Sequence, residues 1–174
     1  MKKVIAQEVS IMLRYTQYMG NEYRLVKYKE YILSTINAEK ADDSFLSDDN
    51  PKCFYKPISI DDLSDIYDYK LYADCYSGVP GVSCEWDLCS GYCSVKEDGV
   101  NLTLHKEGDF EDAGWKKLDR DTHEKWVDNS KLMNARIQLI YYKKNGKEYD
   151  PPFIEQIPLK TSGLYKCDQH YRNM

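Results

Sequence analysis

The chain has 174 residues, of which 42% are hydrophobic and 30% charged, and its formal net charge is −5. This composition is typical of a globular protein and excludes a disordered chain. No apolar run approaches the roughly 20 residues that a membrane-spanning helix needs, so we expect a soluble protein that does not bind membranes. One domain over residues 1–174 is the expectation for this length, with a mobile acidic loop near residues 39–52.

Charge is distributed unevenly along the chain. Residues 41–112 contain five Lys or Arg against seventeen Asp or Glu, a balance of −12, whereas residues 1–40 and 113–174 are net basic at +3 and +4. An acidic block of this kind favours a basic partner or a cation, and it makes nucleic acid the less favoured ligand. A solvated surface that only keeps the protein in solution is the plainer alternative.

The first predicted element is a β-hairpin with strands at residues 8–19 and 22–29. Apolar residues alternate from Val9 to Tyr15, although a helical spacing also fits this stretch. Gly20-Asn21 is a two-residue turn signal, and it decides in favour of strands.

Helices are predicted at residues 28–38, 60–67 and 121–134. In each segment, apolar residues recur three or four positions apart, which would place them on one helical face. Ser59 followed by Asp62 also resembles a capping box, in which the hydroxyl binds the first free amide groups of a helix.

Two later hairpins are predicted from the turn pairs Asp98-Gly99 and Asn145-Gly146. Apolar residues alternate after the first pair and before the second, as they do in half-buried strands. Pro151 and Pro152 cannot donate backbone hydrogen bonds, so the last strand should lie at a sheet edge or bend there. Together these elements predict an α+β fold, with a mostly antiparallel sheet built from hairpins and with two or three helices.

The segment from Cys75 to Cys93 is rich in turns and contains four of the six cysteines. Closely spaced thiols can hold a structural zinc ion, and a second pair of ligands could come from the C-terminal tail. Ordinary free thiols and disulfides are the alternatives. The predicted ligands of one zinc ion are Cys84, Cys89, Cys93, Cys167 and His170.

The N-terminal segment bears on the choice between thiols and disulfides. The apolar run Val4–Ala6 is too short for the core of a signal peptide, so we expect a cytoplasmic protein. Persistent disulfides are rare in that reducing compartment.

No catalytic constellation is visible in the sequence. Nucleophilic catalysis needs a nucleophile next to a base, and a third group that orients the base. The sequence contains no motif that is typical of these three residues. The glycine-rich part lacks the lysine and hydroxyl residues of a phosphate-binding loop, and the acidic runs lack the glycine of a calcium loop. We therefore favour a protein without catalytic residues.

Sixteen tyrosines are the other unusual feature. Tyrosine combines a large apolar area with a polar tip and is enriched at recognition surfaces, although half-buried sheet faces also use it. We therefore predict a non-catalytic protein-binding module or inhibitor, of an accessory, anti-defence or immunity type, that docks on a basic protein surface and could mimic nucleic acid. The predicted contact residues are Asp61, Asp65, Asp68, Tyr67, Tyr69, Tyr72 and Tyr76.

The alternative is a zinc-stabilised domain with enzymatic or nucleic-acid-binding activity. Its contact surface would be the basic C-terminal third of the chain. A third interpretation is a homo-oligomer that associates through an exposed sheet edge.

Overall fold

A computed structural model describes residues 12–27, 29–49 and 52–174. The chain divides into two compact units. The first unit comprises the described residues up to Asp68 together with Ile140–Phe153 and Asn173–Met174, and the second comprises Tyr69–Leu139 and Ile154–Arg172.

The described residues form thirteen β-strands and one α-helix. In chain order they are β1 (Met12–Tyr18), β2 (Asn21–Lys27), β3 (Tyr31–Thr35), β4 (Leu46–Asp49), β5 (Lys52–Ile58), β6 (Ile66–Asp74), β7 (Glu85–Asp87), β8 (Cys93–Val95), β9 (Gly99–His105), β10 (Lys116–Lys117), β11 (Thr122–Asp128), β12 (Met133–Lys144), β13 (Lys147–Pro158) and α1 (Leu164–Arg172).

The strands pair into two sheets, and every described pair is antiparallel. The larger sheet has the order β13-β12-β6-β1-β2-β3-β5-β4, and β7 is added to β6. The smaller sheet has the order β10-β11-β9-β8. Strands β6, β12 and β13 contribute residues to both units.

The core of the first unit lies on the strands of its hairpins. Leu25 and Leu33 are directly opposite each other on β2 and β3, and both are almost completely buried. Leu63, Ile66 and Tyr23 complete this core. Alternation along the strands explains the arrangement, because every second side chain points to the same face of a sheet.

The hairpin turns show how the glycines act. Met19 and Gly20 both have positive φ, at 49° and 81°, as do Asn145 and Gly146, at 52° and 75°. Positive φ at both central residues is the geometry of a type I′ turn, which matches the twist of the flanking strands. The predicted turn at Asn145-Gly146 is therefore confirmed, whereas the first turn lies one residue earlier than predicted. Residues 8–11 of the first predicted strand lie outside the described residues.

The predicted α+β fold with two or three helices is wrong, because the described chain is mostly antiparallel β-sheet with α1 as its one α-helix. Predicted helix 28–38 contains β3, and predicted helix 121–134 contains β11 and the start of β12; residue 28 lies outside the described residues. Predicted helix 60–67 is a single 3₁₀ turn, Ile60–Asp62, followed by β6.

Local capping and tertiary pairing explain these errors. The Ser59 hydroxyl does accept a hydrogen bond from the Asp61 amide, but the turn that it caps ends at Leu63. In the same way, Asp128 caps the 3₁₀ turn Asn129–Lys131. Short capped turns imitate the beginning of a helix, and strand pairing then overrides weak helical periodicity.

No helix in the described part of the chain is long and apolar enough to cross a membrane.

Gly99 provides a test of the smaller sheet. A Cβ atom at this position would overlap the carbonyl oxygen of Val127 and the ring of Trp126. We expect Gly99→Ala to lower the free energy of unfolding by about 1–3 kcal/mol, measured by urea denaturation, because overpacking strains the backbone. Gly163→Ala is the matched control, since a Cβ there has nothing within 4 Å. Equal unfolding midpoints for the two variants would contradict this packing.

Candidate interaction site

An exposed cluster of large apolar side chains lies in the second unit. Tyr76 follows the end of β6, Trp126 lies on β11 and Met133 begins β12, and their exposed fractions are 74%, 47% and 56%. The three side chains line a cavity of about 230 Å³ together with Cys75, Lys125, Val127 and Lys131. We call these three exposed residues and the cavity the Tyr76 surface. Clustered exposed apolar residues of this kind often mark contact sites for other molecules.

Strand alternation positions this surface. Leu71, Ala73 and Cys75 are buried, so the next residue, Tyr76, emerges on the opposite side of the chain. On β11, His123 and Val127 are buried, whereas Trp126 is exposed. Each exposed aromatic residue is therefore anchored by a buried neighbour in the sequence.

A second cavity, of about 400 Å³, adjoins Tyr76 and is also lined by Gly78, Asp112, Ala113 and Lys125. The Lys125 ammonium donates hydrogen bonds to the carbonyl oxygens of Ala113, at 2.7 Å, and Ser77, at 3.3 Å. The buried Trp115 also donates to the Ser77 carbonyl, at 2.8 Å. These bonds fix the backbone beside Tyr76, which lowers the conformational entropy that a partner would have to remove.

One carboxylate, that of Asp112, lines this second cavity and belongs to an acidic segment of the chain. The exposed segment 107–112 carries Glu107, Asp109, Glu111 and Asp112, and Asp112 lines the cavity itself. Glu107 forms an ion pair with Arg120 at 2.8 Å. The remaining carboxylates give the segment a negative field, which can steer a positively charged partner towards Tyr76.

Four of the predicted contact residues lie in the first unit. Asp61 is exposed, but Asp65 accepts a hydrogen bond from the Asn145 amide at 2.8 Å, and Asp68 accepts one from the Tyr142 hydroxyl at 2.7 Å. Tyr67 is 4% exposed and its hydroxyl donates to Glu22. Because the predicted helix 60–67 does not form, the structure does not bring the three aspartates onto one helical face.

The other predicted contact residues, Tyr69, Tyr72 and Tyr76, lie in the second unit, and of these three Tyr76 is the exposed one. Tyr69 is partly buried and its ring stacks on Tyr171; burial raises the pKa of its hydroxyl. Tyr72 is half-buried, with the Arg136 guanidinium 5.3 Å from its ring centroid. Both rings therefore contribute to the packing of the second unit.

The predicted zinc ligands are all in the second unit, and their thiols are free. Within the described ranges, no group of three or more His, Cys, Asp or Glu side chains is arranged to hold a metal ion. Cys93 accepts a hydrogen bond from Ser90 at 3.7 Å, and the ring of His170 packs edge-on against Tyr171. Zinc binding by these residues stays a prediction.

Cys89 has the most strongly perturbed pKa among the cysteines. Burial of its sulfur raises the thiol pKa to about 11, although a backbone hydrogen bond from Leu71 opposes the shift. The residue as a whole is exposed, whereas its thiol is hydrogen-bonded to the partly buried Tyr69. A raised pKa disfavours the thiolate that a metal ion or an electrophile would need.

A polar cleft of about 490 Å³ lies in the same unit and is centred on Arg136. Asp74 and Glu85 are directly opposite each other on β6 and β7, where like charges repel. Arg136 binds both, with 3.2 Å from its Nη1 to Asp74 and a second contact to Glu85, and Asn134 donates to Asp74 at 2.8 Å. The guanidinium is already bound to these two carboxylates and, at 2.7 Å, to the Asn134 carbonyl, so we assign the cleft a role in holding the strands together.

Trp126 and Met133 were not predicted as contact residues. Both residues fall in the predicted helix 121–134, where their spacing would put them on its apolar face. The sequence does contain a signal for the correct arrangement: when 122–128 is treated as a strand, Val127 and Trp126 necessarily lie on opposite faces.

The described chain is thus a mostly antiparallel β protein that exposes Tyr76, Trp126 and Met133 around one cavity. A family model described as "Uncharacterised conserved protein UCP033725" matches residues 13–148, which is more than half of the chain, and the chain belongs to this family. The matched range contains every residue of the Tyr76 surface. No curated protein and no solved structure matches the chain.

The Arg136 bridge predicts a stability defect that a second change should repair. We expect Arg136→Gln to lower the free energy of unfolding by about 1–2 kcal/mol, because Asp74 and Glu85 are left to repel each other and both remain partly solvated. Adding Asp74→Asn and Glu85→Gln should recover part of that loss in urea denaturation. An Arg136→Gln variant with the wild-type midpoint would contradict the proposed role of the bridge.

The raised pKa of Cys89 predicts slow and pH-dependent alkylation. Its pKa of about 11 means that the thiol form dominates at neutral pH. The rate of reaction with iodoacetamide should therefore increase about tenfold per pH unit between pH 8 and 10. Because the pKa of Cys89 is higher in the folded than in the unfolded protein, the folded state holds this proton more tightly. The resulting contribution to the free energy of unfolding is fully present below the ordinary thiol pKa and is lost as the pH rises towards 11.

Peptide mass spectrometry can follow this alkylation at each cysteine separately. Cys84, which is exposed, provides the internal comparison. Labelling of Cys89 as fast as that of Cys84 at pH 8 would show that the Cys89 sulfur is not desolvated.

Proposed function

We propose that this protein is a non-catalytic protein-binding module or inhibitor, and that it docks on a basic partner through the Tyr76 surface. The observation that carries this proposal is the exposure of Tyr76, Trp126 and Met133 around one cavity. Large aromatic side chains and methionine are enriched in protein interfaces, where they supply the buried area and most of the binding energy.

Charge supports the choice of a basic partner. Asp112 lines a cavity beside Tyr76, and the other carboxylates of segment 107–112 are close to it in the sequence. Of the two lysines that line the Tyr76 surface, Lys125 is already bound to two backbone carbonyls, and Lys131 is the other. Electrostatic attraction would raise the rate of association, and the apolar residues would then slow dissociation. The acidic block of the sequence therefore acts through this segment and not through Asp65 and Asp68, which are bound within the first unit.

The proposal also includes a place of action. A cytoplasmic protein, with thiols kept reduced, agrees with the six free cysteines of the structure. A partner with a nucleic-acid-binding groove would suit the acidic segment best, since carboxylates can occupy positions that phosphates otherwise take.

The test removes apolar contact area without touching the core. We expect Tyr76→Ser combined with Met133→Ser to reduce capture of the partner from a lysate of the source organism at least tenfold, because truncation of one central contact typically costs about 2 kcal/mol. The matched control is Tyr92→Ser with Leu118→Ser, since these residues are 56% and 48% exposed in the same unit. Capture is measured by quantitative mass spectrometry of the bound proteins.

A second arm of the same experiment tests the charge. Glu111→Lys with Asp112→Lys should weaken capture of the same partner, and so should higher salt. Glu97→Lys with Asp98→Lys provides an equally charged control at another exposed position. Equal capture by the wild type and the Tyr76 and Met133 double variant would refute the proposed surface. Capture that is insensitive to both salt and charge reversal would refute the basic partner.

A further inference from the structure

Two of the free cysteines face each other at the end of a strand pair in the second unit. Strands β6 and β7 pair Tyr72 with Asp87, Ala73 with Trp86 and Asp74 with Glu85. One further step in this antiparallel register places Cys75 opposite Cys84. The Cys75 amide donates a hydrogen bond to the Cys84 carbonyl at 2.8 Å, so the ladder does continue to this pair.

The hydrogen bonds identify the type of position. Leu88 donates to the Leu71 carbonyl at 2.7 Å, four residues along the same ladder, and hydrogen-bonded pairs recur at every second residue. Cys75 and Cys84 thus form a hydrogen-bonded pair, for which the Cα atoms are about 5.5 Å apart. That Cα separation lies within the range of about 4.4–6.8 Å found in disulfides. Opposite Cβ atoms at such a position are about 5 Å apart, so the two strand ends must approach by about 1 Å to reach the roughly 3.5–4.5 Å of a bridge.

The register also assigns both side chains to the same face of the ladder. Leu71, Ala73 and Cys75 are buried on β6 and its continuation, and Leu88, opposite Leu71, is buried as well. Directly opposite residues of an antiparallel pair share a face, so the Cys84 side chain projects towards that of Cys75. The two thiols are close enough that the charge of Cys84 affects the pKa of Cys75.

The two cysteines differ in access to solvent. Cys84 is exposed, whereas Cys75 is 5% exposed. An oxidant in solution can therefore reach Cys84 first, and Cys75 is already in position to resolve the product. From this arrangement we infer that Cys75 and Cys84 are a redox modification site, which closes to a cross-strand disulfide and reopens on reduction.

Thiol–disulfide exchange can form this disulfide, with a small-molecule disulfide such as oxidised glutathione as the oxidant. The Cys84 thiolate attacks one glutathione sulfur, forming a mixed disulfide and releasing one glutathione thiolate. The Cys75 thiolate then attacks the Cys84 sulfur, which forms the protein disulfide and releases the second glutathione. The protein loses two electrons and two protons, and one glutathione disulfide becomes two glutathione molecules.

Burial sets the pH dependence of the second step. Desolvation raises the pKa of the Cys75 thiol, and the nearby Lys125 opposes the shift. Because the thiolate is the attacking species, closure should become faster as the pH rises through and above the ordinary thiol pKa. The groups that act on this thiol are Cys84, Lys125 and Lys131.

The test uses the full reduced chain in buffers with graded ratios of oxidised to reduced glutathione. After acid quenching and blocking of free thiols, non-reducing peptide mapping should identify Cys75–Cys84 as the first bridge formed. Closure should also raise the unfolding temperature by about 3–8 °C, because the bridge restricts the unfolded chain. Dithiothreitol should reverse both changes.

Single variants decide whether this pair is responsible. Cys84→Ser, which leaves the buried thiol in place, should abolish the bridge and the rise in unfolding temperature. Cys75→Ala should leave Cys84 as a mixed disulfide with glutathione, since the resolving thiol is gone. Cys89→Ser with Cys93→Ser is the control and should retain the bridge. A first bridge between any other cysteines, or closure that persists in Cys84→Ser, would overturn the inference.

Discussion

Side-chain alternation along β6 is the constraint on which the described structure most depends. In the second unit, Leu71 and Ala73 point into the core, whereas Tyr72 and Asp74 point away from it. Extending the same alternation by two residues buries Cys75 and exposes Tyr76. A shift of one residue in register would exchange the two faces, so that Tyr76 would replace Cys75 in the core. The Tyr76 surface, the Cys75–Cys84 pair and the packing of the core therefore all depend on the register of one strand.

The same register places two carboxylates, those of Asp74 and Glu85, opposite each other next to Cys75, and an arginine neutralises them. Asp74 and Glu85 must lie opposite each other once Ala73 pairs with Trp86, and two adjacent carboxylates on a ladder are unfavourable. Arg136 on β12 binds both of them. The bridge thus removes a penalty that the core alignment creates, and it also links the β6–β7 pair to β12. A ligand that needed this guanidinium would have to displace two ion pairs, so we propose the Tyr76 surface and not this cleft for a partner.

Local signals in the sequence predicted the turns and strands near them, but tertiary pairing decided the rest. Asn145-Gly146 specifies its turn through backbone conformations that few residue pairs adopt, and the hairpin around it was predicted correctly. Thr122–Asp128 has no such signal. Its buried His123 is a polar type of residue, so the apolar alternation of the strand is interrupted there and the remaining apolar residues fit a helical spacing. The true helix, Leu164–Arg172, has only Leu164 and Asp168 buried, too few residues to produce a clear period.

The location of the candidate site could not be predicted from charge and aromatic content alone. Counting residues identified an acidic block with many tyrosines, among them Tyr76, which the structure shows to be exposed. Counting cannot distinguish a carboxylate that faces solvent from one that accepts a backbone amide, as Asp65 does, nor a buried tyrosine such as Tyr67 from an exposed one. Trp126 and Met133 lie 50 and 57 residues after Tyr76 in the sequence, on strands of two different sheets, and only the folded structure brings all three to one cavity. Composition can therefore indicate that a chain has an exposed aromatic surface, but strand pairing determines which residues form that surface.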